Sequence, residues 1–251
     1  MRRGRPTLIA LLSLLIAACA GGQGVAKQEQ VGSHYSFGLA HLAGGDARKA
    51  IGELTQAIGE DPDNPAYHNA LGLAFLLDRR IDPAIASFQK AIQFDPKLSD
   101  SYNNLGSAYI QRGQYDQAIA AFKKALANPA YLTPEQAHLN LGNVYAVQGR
   151  LAEAAEEFKR GLDVSPDFAE AHNRLGSVYL AQGKSELAIA ELTLALKQAP
   201  ELATAHQNLG FAFLLAGQKE RARQAFQKVL ELSPTGEMAA EAMRQLKALG
   251  Q

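Results

Sequence analysis

Seven side chains in this 251-residue chain invite a chemical reading: its single cysteine, Cys19, and its six histidines. A lone cysteine forms no internal disulfide, so it is left as a nucleophile or a point of covalent attachment. Five of the histidines, His34, His68, His138, His172 and His206, recur at a nearly constant spacing, and Tyr102 fills the gap in the series. Zinc draws nitrogen ligands in to about 2.0–2.1 Å. Equivalent side chains on successive helix pairs lie roughly 10 Å or more apart. The histidines are therefore read as bulky packing residues, with no metal and no cofactor expected. No Ser/His/Asp grouping, Gly-rich phosphate loop or Cys/His cluster occurs, and no part of the chain is left over for a catalytic domain. No enzyme activity is expected.

The spacing that separates the histidines belongs to a longer pattern. From Ser99 as position 1, a large residue stands at 4, Leu at 7, Gly at 8, an aromatic at 11, Gly at 15, Ala at 20, Phe at 24 and Ala at 27. The template recurs at 31–64, 65–98, 99–134, 135–168, 169–202 and 203–236. Gly38, Gly72, Gly106, Gly142, Gly176 and Gly210 hold position 8; Ala50, Ala84, Ala118, Ala154, Ala188 and Ala222 hold position 20. The offsets predict a helical hairpin in each copy: helix A over about positions 2–14, a turn near 15, and helix B to about 30. Small residues at 8, 20 and 27 let neighbouring helices approach to about 8–10 Å. Pro62, Pro96, Pro166, Pro200 and Pro234 should end five B helices, because Pro removes a donor and restricts the residue before it.

Some copies depart from the template. Arg79 stands where the turn Gly is expected, Leu54 and Leu192 replace Phe at 24, and Gly161 replaces Ala at 27. Repeat 3 is two residues too long. Its stretch Asn128 to Glu135 should bend or widen the stack, with Thr133 capping the next helix and Pro134 at its first position. Residues 237–251 read as one more amphipathic helix, carrying Met238, Ala242, Met243, Leu246 and Leu249 along one side, which caps the array.

This pattern resembles the tetratricopeptide repeat. The resemblance implies an all-α, right-handed superhelical solenoid of six repeats with a C-terminal capping helix. It also implies a concave groove lined by positions 2, 5, 9, 12 and 13 of helix A. Those positions supply Tyr35, Leu39 and Leu42 from repeat 1, and Asn69, Leu73, Leu76 and Leu77 from repeat 2. Repeat 3 gives Asn103, Ser107 and Ile110, repeat 4 Leu139 and Asn143, repeat 5 Asn173 and Ser177, and repeat 6 Gln207, Phe211 and Leu214. Neither Lys nor Arg is in the set, which disfavours the carboxylate clamp that holds chaperone C-termini. Asn side chains could bond an extended peptide backbone, and apolar patches suit an amphipathic helix or strand. The leucines at 12 and 13 could equally be covered by neighbouring repeats. The pairs Glu156–Glu157, Arg79–Arg80, Lys123–Lys124 and Lys159–Arg160 are read as solvated faces near or within helix B.

The N-terminus reads as an address. Arg2, Arg3 and Arg5 precede an apolar run from Leu8 to Ala18. That run is too short for a membrane span, which takes about 20 residues, and has the grammar of a secretory signal. Its end, Ile16-Ala17-Ala18-Cys19, resembles a bacterial lipobox. The resemblance implies a signal peptide over 1–18, acyl chains on Cys19 and a flexible tether over 19–30. Ala20 after the Cys implies the outer membrane, with the folded part facing the periplasm. A formal net charge of +0 and a pI near 7.0 argue against a nucleic-acid partner, and no small-molecule substrate is expected.

Tyr131, Pro134 and Asn140-Leu141-Gly142, with the lipobox and the six repeats, resemble type IV pilus pilotins. In that family an outer-membrane lipoprotein helps the pilus secretin reach the outer membrane and assemble. The resemblance implies a secretin subunit as the protein client, held in the groove. The competing expectation is a lipoprotein adaptor for cell-wall hydrolases, proteases or an outer-membrane assembly complex.

Overall fold

The structure, a computed structural model, describes residues 34–250. The leader, Cys19, the tether and the first three residues of repeat 1 lie outside the described residues. Within them the chain is all-α, with thirteen helices and no strand. The A helices are α1 (34–43), α3 (Pro65–Leu77), α5 (Ser99–Gln111), α7 (Pro134–Val147), α9 (Ala169–Ala181) and α11 (Ala203–Leu215). The B helices are α2 (Ala47–Glu60), α4 (Ile81–Phe94), α6 (Tyr115–Leu126), α8 (Leu151–Val164), α10 (Ser185–Gln198) and α12 (Lys219–Leu232). A last helix, α13 (Gly236–Leu249), packs on α12. Helices α1–α5 belong to one compact unit that ends at Arg112, and α6–α13 to a second that begins at Gly113. The division falls inside the third repeat.

Five of the hairpins, all but that of repeat 3, close on a glycine. The A helix carries Gly where the position-24 side chain of its B helix arrives. A Cβ on Gly72 would stand 2.5 Å from Phe88, on Gly142 2.6 Å from Phe158, and on Gly210 2.7 Å from Phe226. Where position 24 is Leu the fit is as close, 2.6 Å from Leu54 at Gly38 and from Leu192 at Gly176. These Phe and Leu side chains are among the largest fully buried ones, and the position-20 alanines are fully buried as well.

The turn between A and B has a left-handed residue at its centre, with φ of 73–76° at Gly45, Gly113, Gly149, Gly183 and Gly217. Arg79 takes the same role at φ 59°, the one non-Gly residue with positive φ among those described. At the far end of the B helices, Asp61, Asp95, Ser165, Ala199 and Ser233 leave the helical region, with φ near −130 to −140°. Each precedes a proline, whose ring pushes its predecessor toward extended backbone.

Helix α6 has no such proline. It ends at Leu126 with Ala127 still helical in φ and ψ. The two extra residues of repeat 3 go into the loop 127–133, where Leu132 is almost wholly exposed. Helix α7 packs directly on α6, as the other A helices pack on the B helix before them. Thr133 holds the cap position of α7 and Pro134 its first turn, but the Thr133 hydroxyl makes no capping bond. The face of α13 also differs from expectation. It buries Ala239 and Ala242, while Met243 points outward.

Candidate functional site

Successive A helices touch within each unit (α3 with α5, α7 with α9, α9 with α11), and successive B helices make no comparable contact. The A helices therefore line the inner, concave side of each unit. Hydrogen bonds run along this side between repeats. In the first unit the Asn69 amide oxygen accepts from the Ser101 hydroxyl at 2.9 Å and the Asn104 amide at 3.1 Å. In the second, Asn173 donates to the Thr204 hydroxyl at 3.3 Å and accepts from Asn208 at 3.0 Å. Position 5 is thus the point where one A helix meets the next.

That geometry corrects part of the expected groove. Asn173 and Leu139, both at position 5, are buried. Asn69 is half-buried and already bonded to the next repeat. Asn69 and Asn173 stitch repeats together, Leu139 is buried, and all three are withdrawn from the candidate surface. Tyr35 and Leu42 pack against the core of Ala50, Leu54, Ala70 and Ala74. The Tyr35 ring lies 4.6 Å from that of Tyr67. Burial, and then the neighbouring phenol, push the Tyr35 hydroxyl above its ordinary pKa, so it stays a neutral donor.

What remains open sorts by register. Position 13 is exposed throughout: Leu77, Gln111, Val147 and Leu215, with Val147 at 66%. Position 9 is exposed at Leu39 and Ser177, and half-buried at Leu73, Ser107, Asn143 and Phe211. Position 12 is half-buried in every repeat, as at Leu76, Ile110 and Leu214. Asn103 and Gln207 are half-buried as well. The leucines at 12 and 13 thus divide, the former half-buried and the latter exposed. Apolar side chains emerge near the C-terminal ends of the A helices, where they can hold an apolar partner surface.

The histidines do more than fill space. His34, His138 and His172 each set Nδ1 2.7 Å from a carboxylate on the paired B helix, Glu53, Glu157 and Glu191. His68, His172 and His206 set Nε2 against the carbonyls of Pro62, Pro166 and Pro200, at 2.6–3.0 Å. A carbonyl only accepts, so Nε2 is the donor in each of those three contacts. In His172 a single imidazole both ties its own hairpin shut and anchors the linker before it. Glu157, read from sequence as solvated, is instead buried between His138 and Arg160. A signal for this was present: position 23 is Glu in three of the repeats whose position 4 is His. No group of three metal-binding side chains occurs among the described residues. Nor is any described helix long and apolar enough to cross a membrane.

Paired helices with a glycine–ring closure, a left-handed turn and a partly apolar inner face define a helical-repeat scaffold that presents a surface. The chain belongs to the tetratricopeptide repeat family: models of that repeat match residues 35–99 and 103–167, 167–235, and 75–130. No curated protein matches the sequence. Among solved structures, the fold is similar to that of PilW, described as a widely conserved type IV pilus biogenesis factor. The two share 23% identity at a TM-score of 0.76, over 88% of this chain and 98% of that one. It is also similar to Pseudomonas aeruginosa PilF, with 19% identity and a TM-score of 0.78 over 88% and 99%. YrrB, a repeat protein with an unusual peptide-binding site, shares 21% identity at 0.60, over 76% and 97%.

Proposed function

We propose that this protein is a lipid-anchored outer-membrane scaffold that acts as a type IV pilus pilotin. It holds a secretin subunit on its concave face and promotes secretin targeting and multimer assembly. The observation that carries this reading is the end-to-end match to the PilW and PilF structures, which takes in nearly the whole of each. The lipobox-like Ile16-Ala17-Ala18-Cys19 supports the anchor. The exposed Leu39, Leu77, Val147 and Leu215 support an apolar client surface.

The anchor and the surface are tested separately. Loss of the gene should abolish heat-resistant secretin multimers; normal multimer levels would remove the pilotin reading. Cys19→Ser should leave the folded chain intact and unacylated, and should displace the secretin from the outer membrane. The pair Leu77→Asp with Val147→Asp should keep the helical signal and lose the secretin on co-purification. Both residues are exposed, so loss of the fold is not expected. Capture of a cell-wall hydrolase in place of secretin would favour an adaptor role.

A further inference from the structure

The outer face of α10 breaks the pattern of its siblings. Position 19 is Lys49, Pro83, Gln117, Glu153 and Arg221 in the other repeats, and position 26 is Gln56, Lys90, Lys124, Arg160 and Lys228. In α10 these positions are Leu187 and Leu194, 48% and 42% exposed. They are two helical turns apart, about 10 Å along one face, with exposed Ala190 between them. The opposite face of α10 buries Ala188, Leu192 and Ala195 in the array. The helix is therefore apolar on two sides, the composition of a helix covered on both.

We propose that this face is a self-association surface, where α10 packs antiparallel against α10 of a second copy. Charge selects that occupant. Glu186 stands exposed at the start of the face and Lys197 exposed at its end. Antiparallel pairing sets each Glu186 beside the Lys197 end of the other copy, at both ends at once. A parallel arrangement sets like beside like. Ala190 at the centre allows the helix axes to approach to about 8 Å. The same patch meets itself, as a two-fold interface requires. A single helix pair covers little area, so the association is weak, as for interfaces below about 1,200 Å². This surface is on the B side, away from the proposed client face, and does not depend on that reading.

The test is sedimentation equilibrium of the full chain carrying Cys19→Ser, so that no acyl chain adds association of its own. The apparent mass should rise with concentration from that of one chain, 26.9 kDa, toward that of a pair. Leu187→Glu with Leu194→Lys introduces residue types the other repeats already carry at these positions, so the helical signal should be unchanged. It should weaken pairing at least about tenfold. Glu186→Lys alone should weaken it, and Glu186→Lys with Lys197→Glu should restore it. A mass that stays at one chain throughout overturns the proposal, as does a dimer that survives the double leucine change. Failure of the charge swap to rescue overturns the antiparallel pairing. If the chain stays single but sediments with phosphatidylglycerol vesicles in a Leu187- and Leu194-dependent way, the face serves a lipid surface instead.

Discussion

Adding one methyl group at Gly142 should act oppositely to adding it at Gly52. Both glycines lie inside helices, where Ala is favoured by about 0.8–1.0 kcal/mol. At Gly52 in α2 a Cβ meets nothing within 4 Å, so the full gain should appear. At Gly142 in α7 it would stand 2.6, 2.8 and 3.0 Å from three atoms of the Phe158 ring. Carbon atoms rest about 3.5–4.0 Å apart, so the ring must retreat by roughly an ångström. Phe158 is 1% exposed and has nowhere to go. Such overpacking costs about 1–3 kcal/mol. The two variants should therefore differ by about 1–3 kcal/mol, or about 2–4 °C in Tm per kcal/mol for a chain of this size. Urea and thermal unfolding followed by far-UV circular dichroism measure this. Phe158→Ala costs about 3–5 kcal/mol by itself, but in its background Gly142→Ala should become favourable. If Gly142→Ala stabilises as much as Gly52→Ala, or costs the same with and without the ring, the glycine–ring closure does not set helix spacing.

Three further outcomes follow from the geometry. Gly161→Ala restores the residue that Ala57, Ala91, Ala125 and Ala195 supply, and meets nothing closer than 3.4 Å. It should raise stability by about 0.5–1 kcal/mol in the same unfolding assay. Asn173→Ala removes a buried amide from the Thr204 and Asn208 ladder and should cost about 1–3 kcal/mol. Exposed Ser177→Ala on the same helix should stay within about 0.5 kcal/mol. Hydrogen bonds from Lys49 to Asp46 and from Arg150 to Glu153 hold both carboxyls below their ordinary pKa. The unfolded chain then takes up protons first as pH falls. This stability is present above the ordinary carboxylate value of about 4 and is lost below it. Tm should fall on acidification through that range, and Arg150→Ala should flatten the fall.

The repeat frame was legible because it rests on short-range constraints. Gly72 and Phe88 sit 16 residues apart in sequence and in contact in space, and the same offset recurs at Gly142 and Phe158. Pro96 and Pro166 dictate the backbone of the residues before them wherever they stand. The inner surface was less legible. Position 5 looks outward on a single hairpin, yet Leu139 and Asn173 are buried, and Asn173 is bonded to the next repeat. The contact lies 31 and 35 residues away, at Thr204 and Asn208, which no single-repeat template contains. Glu157 was misplaced for a related reason. Charge on a B helix is usually solvated, and its burial follows from His138 on the facing helix. Leu187 and Leu194 were visible as letters, and stood out once the other repeats showed what that face normally carries.

The amide ladder also limits how the inner face can discriminate. With Asn69 and Asn173 turned toward neighbouring helices, two of the inner-face amides that could read a peptide's polar pattern are occupied. What Leu77, Val147 and Leu215 can sense is bulk and greasiness. A partner held there would be free to drift in sequence over generations, so long as it kept its oily contour.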